Sequence, residues 1–259
     1  MKLRSADLAL MCGIARQAGD AIMKIYEGDY EVGIKDDKSP VTIADIIADQ
    51  IIRKGLEKNF LGIPIISEES SEINQVAAET RTFFLVDPLD GTKEFIRRSS
   101  EFTVNIALIH DSQSIAGVVL APALNAMYFA SNAHGAWSGS SFQDGVKMGK
   151  LSPSNSNLKV IGSRSHGGQE MQHWLDNLKC EYSLLTAGSS LKFCRVAEGA
   201  ADVYPRLAPT SQWDTAAAHC ILEATGGKVH DINGDPLKYG LDRPILNPSF
   251  FALGRGVTI

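Results

Sequence analysis

Apolar residues recur at steps of three and four from Leu8 through Met11, Ala15, Ala18 and Ile22 to Ile25, which predicts a first amphipathic helix. A Gly- and Asp-rich stretch, 27–39, reads as a polar, flexible connection. The helical rhythm returns over about 42–60, where Ile43, Ile47 and Ile51 form one stripe that Ile52, Leu56 and Phe60 extend. The pattern then shortens. Ile63-Pro64-Ile65-Ile66 and Phe83-Phe84-Leu85-Val86 are compact apolar runs and predict buried strands. Further strands follow over 102–109, 115–120, 127–130 and 135–137, joined by turns such as His110-Asp111-Ser112-Gln113. This is an antiparallel succession rather than strict βαβ alternation. Residues 138–157 are rich in Gly, Ser and Asn and read as loop. Beyond them come a strand at 158–162, a helix at 168–178, a strand at 182–187 and a helix opened near Ser189. A short strand at Val203-Tyr204 precedes a last helix over 212–224, which stops at Gly226-Gly227. The class is mixed α/β. No repeat is visible, and the seam near 150 predicts one unit of two subdomains, about 1–138 and 139–259.

Composition adds limits. With 259 residues, 44% of them hydrophobic, the chain can bury a substantial core. Its net charge is −5, and no Lys/Arg block stands out, which argues against a nucleic-acid polymer or an anionic membrane as partner. Lys2 and Arg4 before the apolar Leu8–Ala15 segment imitate a signal peptide, but Asp7, Arg16 and Asp20 favour the amphipathic helix. No run is long enough to span a bilayer. Cys12, Cys180, Cys194 and Cys220 are widely spaced and read as reduced, mostly buried thiols of a cytoplasmic protein. Neither they nor the histidines show zinc-ligand spacing.

Candidate chemistry centres on Asp87-Pro88-Leu89-Asp90-Gly91-Thr92. Two carboxylates stand at the end of a predicted strand, Pro88 stiffens the turn, Gly91 permits close backbone approach, and the Thr92 hydroxyl can open a helix. Carboxylates hold hard cations, and amides at a helix start face anions. The hexapeptide alone fits an Asp-Pro turn and a capped helix equally well. A second acidic cluster, Glu68-Glu69, ends the preceding strand; like charges gathered at strand ends repel unless a cation neutralises them. Asp214, in Trp213-Asp214-Thr215-Ala216-Ala217-Ala218, suits the first turn of its helix and is also a candidate ligand, while the alanines allow close packing. Asp45 has capping-box spacing from Thr42, and can equally point into a site.

Together, Glu68, the Asp87–Thr92 motif and the Trp213–Ala216 block resemble the inositol monophosphatase superfamily of metal-dependent, lithium-sensitive phosphatases, in order and spacing, across nearly the whole chain. Lys93-Glu94-Phe95, Ser163-Arg164-Ser165-His166, Gly188-Ser189-Ser190-Leu191-Lys192-Phe193 and Tyr204-Pro205-Arg206 are similar to the CysQ-type 3′(2′),5′-bisphosphate nucleotidases within it. The resemblance implies a layered αβαβα sandwich. It implies Mg²⁺-dependent hydrolysis of adenosine 3′,5′-bisphosphate to AMP and phosphate in sulfur metabolism, and extends to the 5′-phosphosulfate analogue. It places a first Mg²⁺ on Glu68, Asp87 and the Leu89 carbonyl, a second on Asp87, Asp90 and Asp214, and a looser third near Glu68. Asp45 and Thr92 would activate the attacking water, with Glu68 counted among the catalytic groups. The Gly91 and Thr92 amides would cradle the scissile phosphate; Ser189, Lys192 and Arg206 would hold the 5′-phosphate, and His166 would lie near the nucleotide. It leaves oligomeric state open, and sets peripheral attachment to the inner face of the bacterial membrane beside a free cytoplasmic state.

Without the resemblance, Lys192 and Arg206 read as surface cations, His166 as a loop histidine and Ser189-Ser190 as a helix cap. Rival functions are a phosphatase for inositol 1-phosphate or fructose bisphosphate, and a non-catalytic metal- or nucleotide-binding regulator. Haloacid-dehalogenase chemistry is rejected, because it needs two aspartates separated by one residue and Asp87 and Asp90 are separated by Pro88 and Leu89.

Overall fold

The computed structural model describes residues 3–28, 32–34, 40–69, 76–149, 157–163 and 168–259. Two helices, α1 (Ser5–Tyr26) and α2 (Ile43–Asn59), lie against one face of a seven-stranded sheet. That sheet contains β3 (Ile65–Ser67), β4 (Thr82–Asp90), β5 (Thr103–His110), β6 (Gln113–Ala121), β7 (Ala126–Ser131), β8 (Gly135–Gly139) and β9 (Val146–Lys147) in chain order. Only β3 and β4 pair parallel; every later neighbour is antiparallel, as the succession of short apolar runs predicts. Strand alternation sends Phe84, Val86, Val104, Ile106 and Leu108 to the α1/α2 face. Phe83, Leu85, Ala107 and Ile109 go to the other face, against α5 (Leu191–Ala197) and α6 (Gln212–Ala224).

Those two helices separate the first sheet from a second, of order β11 (Tyr182–Ala187), β10 (Leu158–Ser163), β12 (Val203–Arg206), β14 (Phe250–Leu253), β13 (Lys228–Asp231). Tyr204, Val229, Phe250 and Ala252 join the shared core, while Val160, Val203 and Leu253 face outward onto Leu175 of α4 (Gln169–Asp176). The layers therefore run α, β, α, β, α. The alanines of α6 allow the approach their size predicts. A Cβ on Gly117 of β6 would meet the Ala217 carbonyl oxygen at 2.2 Å, and the Ser114 hydroxyl donates to the Ala216 carbonyl at 2.7 Å. This contact sets α6, and Asp214 in its first turn, against the first sheet.

Two sequence expectations change, and two strands appear where none was predicted. The stripe Ile43–Ile47–Ile51 is not the buried face of α2: Ile43 is 47% exposed, while Ala44, Ala48, Ile52 and Leu56 are buried. Packing against α1 selects small residues for a close helix pair, which overrides the count of isoleucines. The stretch 27–39 contains β1 (Val32–Ile34), paired antiparallel with β2 (Pro40–Thr42); backbone pairing of three residues leaves no periodic signal to read. Strands β13 and β14 add the far side of the second sheet, and each is only four residues long. Residues 150–156, within the expected loop, lie outside the described residues, as do 29–31 and 35–39 of the earlier stretch. Cys12, Cys194 and Cys220 are buried thiols and Cys180 is exposed. No helix among the described residues is long and apolar enough to cross a membrane.

Candidate active site

The pairing of β4 with β5 runs in register to Asp87 opposite Asn105, then shifts before Asp90 opposite Thr103. Pro88 and Leu89 occupy this irregularity, and its consequence is that both aspartates face the same region. The Leu89 side chain is buried in the core, its N–H donates to Asp87 Oδ1 at 3.0 Å, and its carbonyl is left on the cleft side. The chain leaves the strand through Gly91 at φ +89°, where a Cβ would also sit 2.2 Å from Ser189 Oγ. Gly91, not Thr92, is the N-cap of α3 (Thr92–Ile96). The Thr92 hydroxyl therefore does not cap the helix; it lies 3.2 Å from Asp45 Oδ1 and 3.3 Å from the Leu89 carbonyl.

Asp45 makes the cap its spacing predicts and also faces Thr92. Its Oδ2 accepts from the Thr42 amide and hydroxyl at 2.7 Å each, completing the capping box of α2, while Oδ1 is presented to Thr92. Asp214 likewise accepts from the Ser211 amide at 2.8 Å in the capping box of α6 and still lines the cleft. A capping carboxylate has two oxygens, so the structural reading and the functional one do not compete.

Carboxylate oxygens of Glu68, Asp87 and Asp214 come within 4.8 Å of one another. Burial pushes Asp87 well above the usual carboxylate range, and Glu68, Asp90, Asp214 and Asp45 push it the same way. Asp214 is raised well above that range by burial and then by Asp90. The donors are all hard oxygens, gathered where their charges oppose one another, and this cluster could hold a divalent metal ion. Glu68 is carried here by the end of β3, under which the Ser67 hydroxyl donates to Asp49 at 2.5 Å and Arg53 pairs with Asp49 at 3.2 Å.

Asp90 is raised by burial, and is held down by Lys192, Ser190 and Asn105. The sequence reading missed Ser190 and Asn105. The Ser190 amide donates to Asp90 Oδ2 at 2.7 Å. Its hydroxyl lies 3.0 Å from Asp90 Oδ2 and 2.6 Å from the Asp214 carbonyl, so one serine ties both candidate ligands together. Ser190 is the N-cap of α5 but its side chain makes no cap bond, so the capping reading fails for it. The signal for Asn105 is a polar residue inside the apolar run of β5; for Ser190 none is visible, since its partners are 100 and 24 positions away.

A cleft of about 550 Å³ joins Glu68, Asp87, Leu89, Asp90, Gly91, Thr92 and Asp214 to Ser189, Lys192 and Arg206. Asp45 stands behind Thr92. Lys192 is 6% exposed and so not a surface cation; burial lowers its pKa to about 8, against the pull of Asp90. Its Nζ donates to the Ser189 carbonyl at 2.6 Å and lies 5.3 Å from the centre of the Tyr204 ring. Arg206 donates to the Pro209 carbonyl at 2.7 Å, and its buried Nε has no hydrogen-bond partner among the described residues. The Ser189 hydroxyl faces the carbonyls of Asp90 and Glu101, at 2.8 and 3.0 Å, and its backbone adopts φ +48°. His166, with Arg164 and Ser165, lies outside the described residues.

Residues 4–254 match the family described as "Inositol monophosphatase family". The 3′(2′),5′-bisphosphate nucleotidase CysQ of Shigella flexneri is 47% identical over 243 residues, 93% of this chain and 96% of that protein. The protein of the same name from Escherichia coli K12 is 46% identical over the same shares. The crystal structure of CysQ from Bacteroides thetaiotaomicron superimposes with a TM-score of 0.85 at 37% identity, covering 97% of this chain and 98% of that one.

Proposed function

The chain belongs to the inositol monophosphatase family, and from that premise we propose that it is a metal-dependent phosphatase of nucleoside 3′(2′),5′-bisphosphates. It converts adenosine 3′,5′-bisphosphate to AMP and phosphate in sulfur metabolism, with the 5′-phosphosulfate analogue as a further substrate. The observation that carries this reading is that one cleft holds both an acid cluster and the cations Lys192 and Arg206, with Lys93 also on its lining. One phosphate needs the metal site; a second phosphate on the same substrate gives the cations their use.

Two to three Mg²⁺ ions are assigned, with Glu68, Asp87, Asp90, Asp214 and the Leu89 carbonyl as their ligands. Bound there, they supply positive charge against the phosphate dianion and acidify a water. The protein's own part begins at Asp45. Its Oδ1 accepts the hydrogen bond that the Thr92 hydroxyl donates, which leaves the Thr92 oxygen's lone pairs free to accept from the attacking water. The water's proton then passes through Thr92 to Asp45 as the oxygen attacks phosphorus; the bond from phosphorus to the ribose 3′ oxygen breaks, and that oxygen leaves on AMP with a proton taken from solvent. The amides of Gly91 and Thr92, on the cleft wall, hold the phosphate oxygens. Lys192 and Arg206, with Ser189 fixing the turn that presents Lys192, hold the phosphate that is retained. The same reading takes 1–138 and 139–259 as two subdomains of one catalytic unit, the first contributing Glu68, Asp87 and Asp90 and the second Asp214 and the cations. A cytoplasmic setting belongs to it too, in keeping with the buried thiols.

Phosphate release by the purified protein is measured with Mg²⁺ on adenosine 3′,5′-bisphosphate, its 5′-phosphosulfate analogue, inositol 1-phosphate and fructose 1,6-bisphosphate. Fastest release from the nucleotide, inhibited by Li⁺, is expected. A preference for inositol 1-phosphate would sink the assignment, and a protein that binds nucleotide without releasing phosphate would be the regulator instead.

A further inference from the structure

Carboxylates and cations do not account for the whole cleft. Trp213, Ile245 and Leu246 also line it, and Leu246 is 54% exposed. The loop that carries the two aliphatic residues is held firmly to the start of α6. The Gln212 amide donates to the Ile245 carbonyl at 2.8 Å, Ser211 and Leu246 form an antiparallel bridge, and the Asn247 amide donates to the Thr210 carbonyl at 2.8 Å. The buried Gln212 side chain donates to the carbonyls of Gly240 and Pro244 at 3.0 and 2.9 Å and accepts from the Gly240 amide. The Asn247 side chain donates to the Ser211 carbonyl at 2.7 Å and Thr215 Oγ1 at 3.1 Å. These bonds fix the loop's backbone, and Leu246 stands half exposed on it. It keeps an apolar surface open beside Trp213, one residue from Asp214, at the rim of an otherwise polar cleft. Held apolar walls beside convergent polar groups are how small-molecule sites bind the uncharged part of a ligand.

We propose that Ile245 and Leu246, beside Trp213, form the wall against which the planar base of the nucleotide lies; Trp213 belongs to the block shared across the family, so the two aliphatic residues are the specificity-determining ones. The inference rests on the nucleotide reading above and deepens it. A purine ring has broad apolar faces, which suit an indole and two aliphatic side chains through stacking and dispersion. An inositol ring carries a hydroxyl on nearly every carbon, and the same wall would desolvate those groups without offering partners. The wall has no side-chain hydrogen-bonding group except the indole N–H, so it selects for ring area, purine over pyrimidine, rather than for one purine over another.

The test compares Leu246→Ala, Leu246→Asp and Leu246→Met with wild type on adenosine 3′,5′-bisphosphate and on its base-free counterpart, ribose 3,5-bisphosphate. The position is half exposed, so all three chains are expected to fold. In Leu246→Ala the ratio of kcat/KM for the nucleotide over the base-free substrate falls about tenfold, the scale of a lost hydrophobic pocket contact. The fall lies in KM, is larger in Leu246→Asp, and is reversed in Leu246→Met. A ratio that stays at the wild-type value in both Ala and Asp variants overturns the wall while the nucleotidase reading stands. A wild type that prefers inositol 1-phosphate to the nucleotide overturns the nucleotidase reading and the wall together.

Discussion

The Thr92 hydroxyl lies 3.2 Å from Oδ1 of Asp45, a residue 47 positions earlier whose other oxygen caps the helix that carries it. The cap fixes the carboxylate, whose Oδ1 is one of two acceptors facing the Thr92 hydroxyl, the other being the Leu89 carbonyl at 3.3 Å. Asp45→Asn keeps a side-chain oxygen for the cap but is a poor proton acceptor. A loss in kcat of about 10²-fold or more, the lower range for a general base, is expected with little change in KM. Thr92→Val should lose as much and Thr92→Ser much less, measured by steady-state phosphate release.

Asp87 is buried among like charges. Asp87→Asn removes one of them, so the metal-free variant should be more stable than the metal-free wild type by about 1 kcal/mol, or roughly 2–4 °C in Tm for a chain of this size. Added Mg²⁺ should raise the Tm of wild type and not of the variant, while activity of the variant falls at least ~10²-fold. Calorimetry with chelator and with Mg²⁺ reads both effects; a variant that melts lower without metal would contradict the repulsion.

Lys192 titrates near a pKa of about 8, lowered first by burial. The native state thus holds this proton less tightly than the unfolded chain. Its contribution to stability is greatest above the ordinary lysine range and is lost as pH falls through about 8. Substrate binding has the opposite sign, because the phosphate needs the charged form. KM for adenosine 3′,5′-bisphosphate should rise above pH ~8, and Lys192→Arg, always charged, should flatten that limb. A KM independent of pH from 7 to 10 would remove Lys192 from the phosphate site.

Ser190 joins Asp90 to the Asp214 carbonyl. Ser190→Ala leaves the amide contact and deletes the hydroxyl. Outer-shell partners of metal ligands are worth about 10–100-fold in metal affinity. The Mg²⁺ concentration for half-maximal activity should rise by about that factor, while the maximal rate at saturating Mg²⁺ recovers most of its value.

Gly117→Ala puts a methyl group against the backbone of Ala217, where neither side can yield. Overpacking of this kind costs about 1–3 kcal/mol, so a lower Tm and weaker Mg²⁺ activation are expected together, since the same contact seats α6 and Asp214. Denaturant unfolding and Mg²⁺ titration of the same sample test the coupling.

Local chemistry made much of this protein readable in one dimension. The rhythm of Leu8–Ile25, the short apolar runs and the Gly226-Gly227 stop each reflect interactions within a few residues, and their elements appear as expected. The acids at strand and helix ends were legible for the same reason. The three-block spacing identified the family because the distances between ligands along the chain are imposed by the layers they must cross.

What pairs across the chain was decided only in three dimensions. Asp45 reaches Thr92, Ser190 reaches Asp90, and Leu246 lies beside Ser211, although no local pattern links them. The buried face of α2 was settled by the partner it packs on, and the burial that lowers Lys192 to about pKa 8 comes from its surroundings rather than its neighbours in sequence. Periodicity records which side of an element prefers to leave water. It carries no record of which other element will be waiting there, and contacts, pKa shifts and the shape of the cleft all depend on that partner.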